Sequence, residues 1–166
     1  MKGQINVEFI ASLMVFLSVV GYVLFSFSTI STSYNFYGRR LLIGSKAFQL
    51  SSVLLGSPGV PANWADLSSA KRVGLQDERF NLTNLIKKEK ALSFCQSYEL
   101  LKEKLSTTDY FTIKILDKED PSRLSVECEP PELVEAPVSA TVKRVVAYLD
   151  GEEMRYAEVI VTVVEV

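Results

Sequence analysis

The sequence contains no histidine and only two cysteines among its 166 residues. Histidine is the commonest metal ligand in proteins and the usual acid–base group near neutral pH. Its absence argues against hydrolytic triads of the ordinary kind and against most transition-metal sites. Catalysis by carboxylates is the enzymatic chemistry that remains open.

Charge is nearly balanced overall but is missing from one region. The chain has 18 lysines and arginines against 20 acidic residues, a net charge of −2. A nucleic-acid-binding domain needs a basic face, so we expect no nucleic-acid partner. No charged side chain lies between Glu8 and Arg39, whereas the rest of the chain is charged like an ordinary soluble domain. The length fits one domain with an appendage.

The uncharged region contains an apolar run of 22 residues, Phe9 to Ile30. As a helix it would extend about 33 Å, enough to cross a hydrocarbon core of about 30 Å. A secretory signal peptide has a shorter apolar core and a small-residue cleavage site, which this run lacks. Hydropathy alone leaves a plain signal anchor as an equal alternative.

The residues at the start of this run carry a second signal. They read Lys2-Gly3-Gln4-Ile5-Asn6-Val7-Glu8-Phe9. This segment resembles the class III (prepilin) signal of archaeal type IV pilins, in which a short basic leader ending in Gly is removed before Gln. The resemblance implies cleavage between Gly3 and Gln4 and makes Glu8 the fifth residue of the mature chain. Asn6 stands where the family usually has Ser.

The resemblance implies a complete domain plan and a function. Residues 1–3 would be the leader, 4–56 a long helix with 9–30 spanning the membrane or forming a filament core, and 57–166 an extracellular α+β head. The expected partners are the membrane, a prepilin peptidase, the pilus assembly machinery and other pilin subunits. The expected location is the cell membrane and then a surface filament. We expect no enzymatic activity, no cofactor and no small-molecule substrate.

The positive-inside rule and the resemblance to prepilins predict opposite orientations in the membrane. Arg39 and Arg40 follow the run, whereas only Lys2 and the amino group precede it. The positive-inside rule would therefore place the carboxyl side in the cytoplasm. Prepilin-type processing instead faces the leader to the cytoplasm and exports the rest, and we follow the family.

Glu8 is the residue expected to direct assembly. A carboxylate costs about 3 kcal/mol at the centre of a membrane, but at a helix start it can stay at the interface and complement the helix dipole. The resemblance implies that a neighbouring subunit's amino terminus supplies its partner in a filament. The alternative is an ordinary interfacial or first-turn acid. The small residues that would permit close helix packing are Ala11, Ser12, Ser18 and Gly21.

The helix is expected to continue well past the apolar run. We predict one helix from Ile5 to Leu55 whose second half packs against the head, with an apolar stripe at Tyr37, Leu41, Gly44, Phe48 and Leu55. Arg39 and Arg40 are expected on a solvated face, with contact to a neighbouring subunit as the alternative. Gly56-Ser57-Pro58-Gly59-Val60-Pro61 should end the helix.

The head is expected to combine short helices with an antiparallel sheet. Trp64 should plug the core, and Lys87, Lys88 and Lys90 should form a solvated face. A helix is expected to start near Asn84, and Thr83 either caps it or belongs to the sequon of Asn81. Leu92 to Leu105 has helical spacing. Strands are predicted at Tyr110 to Leu116, Leu124 to Cys128, Val138 to Leu149 and Met154 to Val166, the last two forming a hairpin around Asp150-Gly151 with a type I′ turn. In the last strand, alternation places Ala157, Val159, Val161 and Val163 on the core side.

The remaining candidate sites depend on export of the head. Cys95, in a predicted helix, and Cys128, at a strand end, would form one disulfide there, with two free buried thiols as the alternative. Asn81-Leu82-Thr83 is an N-glycosylation sequon in that setting. The acidic residues Glu127, Glu129, Glu132 and Glu135 are a solvated or weak calcium-binding loop, without a nucleophile or base beside them.

Two functions therefore compete. The chain is either a filament subunit that polymerises through its apolar helix, or a membrane-anchored or tip-located adhesion and interaction module. The distribution of the protein along filaments, uniform or confined to the tip, would separate them.

Overall fold

The protein has an α+β fold, as the sequence predicts. The computed structural model describes residues 4–80, 82–132 and 138–165, with only the backbone of 4–6, 31–33 and 35. A long helix α1 (Gln4–Gly56) is followed by β1 (Leu85–Ile86), α2 (Lys88–Ser93), α3 (Tyr98–Lys104), β2 (Tyr110–Asp117), β3 (Ser125–Cys128), β4 (Val138–Asp150) and β5 (Glu153–Glu165).

The chain divides into two compact units, Met1–Arg39 and Arg40–Val166. We call the second unit the head. The sequence places the head domain at 57–166 and the second half of the helix against it. The structural unit contains both, since the last turns of α1 share a hydrophobic core with the sheet.

Within the head, α1 buries a stripe different from the one the sequence predicts. The buried residues are Ile43, Ala47, Ser51, Leu54 and Leu55, of which only Leu55 belongs to the predicted stripe. Leu41 and Phe48 from the predicted stripe are 75% and 57% exposed. The prediction was therefore wrong at Leu41 and Phe48 and right at Leu55. It followed large apolar side chains, whereas the small Ala47 and Ser51 let the helix approach the sheet closely.

The segment after α1 folds back tightly on itself. The helix ends at Gly56, as the Gly-Pro-rich sequence predicts. Gly59 has a φ of +86°, and a Cβ there would meet the carbonyl oxygen of Arg72 at 2.6 Å. A Cβ on Gly74 would collide with the carbonyl oxygen of Ser57. Glycine is therefore required at both positions, because the two segments of this loop pass too close to each other for a side chain to fit between them.

The head sheet has five strands in the order β1-β4-β5-β2-β3. Strands β4, β5, β2 and β3 pair antiparallel, and the predicted alternation is confirmed: Ala157, Val159, Val161 and Val163 all face the core. Strand β1 pairs parallel with β4, Leu85 lying opposite Ala147. The sheet is therefore mixed.

Two of the expected helices differ from the sequence prediction. The prediction of a helix near Asn84 was wrong, because Asn84 has a φ of +65° and is followed by the buried strand β1. The helix expected over Leu92 to Leu105 is split into α2 and α3 by the segment around Cys95. Ser97 is the N-cap of α3, and its hydroxyl accepts a hydrogen bond from the N–H of Leu100.

The β4–β5 hairpin forms where the sequence places it, with a different turn. Asp150 pairs with Glu153, so the two central residues are Gly151 and Glu152. Gly151 has a φ of +68°, and Glu152 is not among the positive-φ residues. A glycine with positive φ at the first central position alone is the requirement of a type II′ turn, so the type I′ prediction was wrong.

Cys95 and Cys128 form a disulfide, with their Cα atoms 5.6 Å apart. The bridge joins the break between α2 and α3 to the edge strand β3. In the chain-entropy model, closing a loop of this length stabilises the fold by about 3–4 kcal/mol.

Candidate functional site: the apolar span and the buried lysine

The first unit contains a helical segment that is long and apolar enough to cross a membrane. It runs from Val7 to Ile30, 24 residues, and we call it the apolar span. Its large apolar side chains are exposed throughout, for example Phe9 at 67%, Phe25 at 70% and Phe27 at 71%. An exposed apolar helix surface of this length is typical of a segment that lies in lipid or packs against other protein.

Two hydroxyl groups of the apolar span, those of Ser18 and Thr29, find partners inside the helix. The hydroxyl of Ser18 donates to the carbonyl of Met14 at 2.8 Å, and that of Thr29 to the carbonyl of Ser26 at 2.9 Å. Such bonds to carbonyls three or four residues back satisfy the hydroxyl without water. The polar residues of the span are therefore compatible with an apolar environment.

The amino-terminal residues of the expected assembly site are only partly described. Glu8 lies in the first turns of α1 with its side chain exposed. Gly3 lies outside the described residues, and so does the side chain of Gln4. The processing bond therefore stays a sequence prediction.

Small residues near the start of the span leave a shallow depression in its surface. Ala11, Ser12, Val15 and Phe16 line it. Gly21, further along, has nothing within 4 Å of the position that a Cβ would occupy. Small residues on an uncovered apolar helix permit the close helix approach on which association in lipid depends.

The carboxyl-side border of the apolar span is aromatic and then basic. Tyr34 and Tyr37 are 75% and 66% exposed, and the exposed Arg39 and Arg40 follow. The expectation that both arginines are solvent-exposed is confirmed. Tyrosine followed by a cation is typical of a helix leaving a membrane at its interface.

The most unusual polar group of the head is a lysine whose burial was not predicted from the sequence. Lys90 was expected on a solvated face, but it is 1% exposed. Its ammonium donates to the carbonyls of Pro58 at 2.9 Å, Ala62 at 2.5 Å and Gln76 at 3.3 Å, and to Oε2 of Glu78 at 3.0 Å. It therefore ties α2 to the loop that follows α1.

Trp64 completes this cluster. It is 2% exposed, as predicted, and its indole N–H donates to the carbonyls of Pro58 and Gly74, both at 3.1 Å. The Lys90 ammonium lies 5.8 Å from its ring centroid, a cation–π distance. The cluster satisfies its own donors, so its arrangement indicates a structural tie.

The acid of this cluster has a perturbed pKa. Burial raises the pKa of Glu78, but hydrogen bonds from Lys87 and Lys90 outweigh it and lower the pKa from 4.5 to about 2. Glu78 therefore remains ionised and paired near neutral pH. Lys88 points elsewhere and pairs with Asp150 at 2.7 Å.

The other candidate sites give no cofactor geometry. Glu127 and Glu129 both pair with Lys114, and Glu132 is exposed, whereas Glu135 lies outside the described residues. Within the described ranges no group of three or more His, Cys, Asp or Glu side chains could hold a metal ion. Asn81 of the sequon also lies outside the described residues.

Comparison with known protein families, with curated proteins and with solved structures finds no match to this chain. The functional argument therefore depends on the residues themselves.

Proposed function

We propose that this protein is a structural subunit of a type IV pilus-like surface filament, held in the membrane by its apolar span until it is assembled. The observation that carries the proposal is a 24-residue apolar helical span with exposed side chains. A single carboxylate, Glu8, opens this span. The residues before it, Lys2-Gly3-Gln4, resemble a prepilin processing site.

The physical argument concerns what can cover such a helix. Lipid covers it in the precursor, at the cost of keeping Glu8 at the interface. Helices that leave lipid for one another gain little from apolar burial, because lipid is already apolar, so close packing and polar contacts must drive association. The depression at Ala11 and Ser12 supplies the first of these and Glu8 supplies the second.

The processing step has a direct test. Amino-terminal sequencing of the protein recovered from cell surfaces should give a chain that starts at Gln4. Recovery of the surface protein with Met1, Lys2 and Gly3 attached would contradict the assignment of a class III signal.

The assembly step is tested by Glu8→Ala. A hydrogen bond to a charged group contributes about 1.5–3 kcal/mol, so incorporation into filaments should fall by at least about tenfold. Membrane insertion and processing should be unchanged, as measured on membrane fractions by immunoblot.

Glu99→Ala is the matched control, because Glu99 is an exposed acid in the first turn of α3. It should incorporate like the wild type. Wild-type incorporation of Glu8→Ala would count heavily against the proposal. A label confined to filament tips would favour an adhesion role over that of a repeating subunit.

A further inference from the structure

Strand β4 lacks a neighbour along most of one side. Its other side pairs with β5 over the whole strand, from Val138 to Asp150. On the first side only Ala147 and Tyr148 are paired, with the short strand β1. Between Val138 and Val146 no strand or isolated bridge of the described chain lies beside β4 on that side. We call this stretch the open edge; as a strand it is about 30 Å long.

The main-chain groups of the open edge point away from the sheet at every second residue. The N–H of Ala147 donates to the carbonyl of Asn84 at 2.8 Å, which shows that this N–H points towards the β1 side of β4. Alternate residues of a strand direct their N–H and C=O groups to the same side. The residues that point along the open edge are therefore Ser139, Thr141, Lys143 and Val145, all of them exposed. A row of donors and acceptors of this kind is a template for another extended main chain.

The opposite end of the sheet is protected against such pairing. Its edge strand β3 has only four residues, Cys128 at its end is held by the disulfide, and Pro130 and Pro131 follow. Short edge strands and prolines are the usual means by which proteins prevent edge pairing. The open edge has neither, because β4 contains no proline and its register with β5 continues without a bulge. The open edge is therefore the end of the sheet that is suited to receive a strand.

The charge of Lys143 determines which strand fits on one face. Lys143 is exposed and makes no ion pair within the ranges that the structure describes. Glu158 lies on the same face but one strand inward, opposite Val145, so β4 separates it from any strand added at the open edge. A lysine beside an incoming strand disfavours a basic neighbour and favours an acidic one.

The other face of the open edge is apolar. Ala140 and Val142 are half-buried there and pack against the core of the head. The guanidinium of Arg144 on this face is already engaged, since it lies 4.6 Å from the ring centroid of Phe48 and donates to the hydroxyl of Ser52. An added strand with apolar side chains on this face would extend the core past β4.

We propose that the open edge binds an extended segment of another polypeptide as an additional strand, with acidic side chains on the face of Lys143 and apolar side chains on the face of Val142. The occupant is a main chain because only a main chain matches the row of N–H and C=O groups. Its alternation of acidic and apolar residues follows from the two faces of β4. The contact is made by the head alone and goes beyond the filament role, on which it does not depend.

The test is amide hydrogen exchange, measured by NMR on the full-length protein in detergent. The probe is a synthetic peptide, blocked at both ends, that alternates glutamate with valine. The N–H groups of Thr141 and Lys143 should exchange at least about tenfold more slowly when the peptide is present, whereas those of Val142 and Arg144, which point towards β5, should exchange slowly with or without it. An unchanged rate at Thr141 and Lys143 would overturn the proposal.

Charge reversal tests the chemistry of the partner. A peptide that alternates lysine with valine should give no protection. Lys143→Glu should weaken binding of the acidic peptide by at least about tenfold and favour the basic one. Lys71→Glu makes the same charge change at an exposed lysine outside β4 and should leave the preference for the acidic peptide unchanged. Equal protection of the wild type by both peptides would contradict the acidic assignment.

A proline substitution tests the direction of the main chain. Thr141→Pro removes an N–H that the pairing with β5 does not use, so the protein should keep a Tm close to that of the wild type and lose binding of the peptide. Val142→Pro is the matched control, because it removes an N–H that points towards β5 and should lower the Tm much more. If the two variants lower the Tm equally, Thr141 does not point along the open edge and the proposal fails.

Two further outcomes are distinguished by the same measurement. Protection of Thr141 and Lys143 that rises with protein concentration in the absence of peptide would identify a second copy as the occupant and overturn the assignment of a separate acidic partner. None of these experiments uses filaments. Their failure therefore leaves the filament role intact, and a failure of the filament role leaves the strand contact to be decided by the exchange rates.

Discussion

The two units of this protein differ in where their apolar side chains lie and in which groups bind their polar atoms. The apolar span exposes phenylalanines and leucines and satisfies the hydroxyls of Ser18 and Thr29 inside its own helix. The head buries its apolar side chains in one core and also encloses a lysine, which it satisfies with three carbonyls and a carboxylate from a distant loop.

This comparison shows that the two units depend on different surroundings. The head contains its own core, its own disulfide and partners for its buried polar groups, so its stability should be a property of the head itself. The apolar span exposes its large side chains, so under the proposed function its stability depends on lipid or on other copies. A substitution in one unit should therefore leave the property that depends on the other unchanged.

The largest expected effect is that of Lys90→Met. The substitution removes the ammonium and leaves Glu78 without one partner and the carbonyls of Pro58 and Ala62 without their donor. Glu78 keeps Lys87, but the carbonyls left without a donor cost about 1–3 kcal/mol each, so the free energy of unfolding should fall by about 3 kcal/mol or more. Thermal or denaturant unfolding of the head, in detergent-solubilised protein, measures the loss.

Lys88→Met is the matched control, two residues away on the same short helix. The Lys88–Asp150 pair lies nearer the surface, so its loss should cost about 1 kcal/mol or less. Both variants should insert in membranes normally. Equal destabilisation by the two would show that the enclosure of Lys90 has no special role.

The second effect tests the apolar span. Leu17→Arg places a charge near its centre, which costs about 3 kcal/mol in a membrane. The fraction of protein that resists alkaline extraction from membranes should fall, while the unfolding midpoint of the head stays unchanged. Leu17→Met, which keeps the position apolar, should behave as the wild type. An unaffected membrane fraction would contradict the assignment of Val7 to Ile30 as a span.

The smallest effect is the pH dependence that Glu78 gives to the head. Its pKa is lower in the folded protein, about 2, than its ordinary 4.5. The unfolded chain therefore binds its proton first, so the stabilisation is complete above pH 4.5 and is lost as the pH falls towards 2.

Glu78→Gln cannot titrate, which makes this loss measurable. The difference in Tm between wild type and Glu78→Gln should shrink between pH 4.5 and 2. The same difference for Glu99→Gln, at an exposed position, should stay nearly constant. A Glu78→Gln difference that does not change with pH would show that Glu78 is not tied to Lys87 and Lys90 in solution.

Sequence patterns predicted the elements whose signals are local. The long helix, its end at Gly56, the strands β2 to β5 and the inward side of β5 follow from apolar spacing and from breakers within a few residues. The disulfide was also expected, with the free-thiol alternative left open. The processing bond at Gly3–Gln4 and the sequon at Asn81 stay predictions, because both fall outside the described residues.

The errors fall where a distant part of the chain decides the conformation. Asn84 looked like a helix start, but strand β1 gains a parallel partner in β4, more than fifty residues later. Cys95 looked helical, but its bridge to Cys128 lies at the break between α2 and α3. The buried stripe of α1 followed the small residues that fit the sheet and not the largest apolar ones.

The sequence by itself determined that this chain carries a charge-free helical span behind a Gly-Gln bond and a separate charged head with a terminal hairpin, because such features depend on the order of neighbouring residues. Only the tertiary structure decided that Lys90 is enclosed and which groups satisfy its ammonium. Whether a charge is satisfied depends on groups that folding brings from 12 to 32 residues away, as at Lys90, and no local pattern records them.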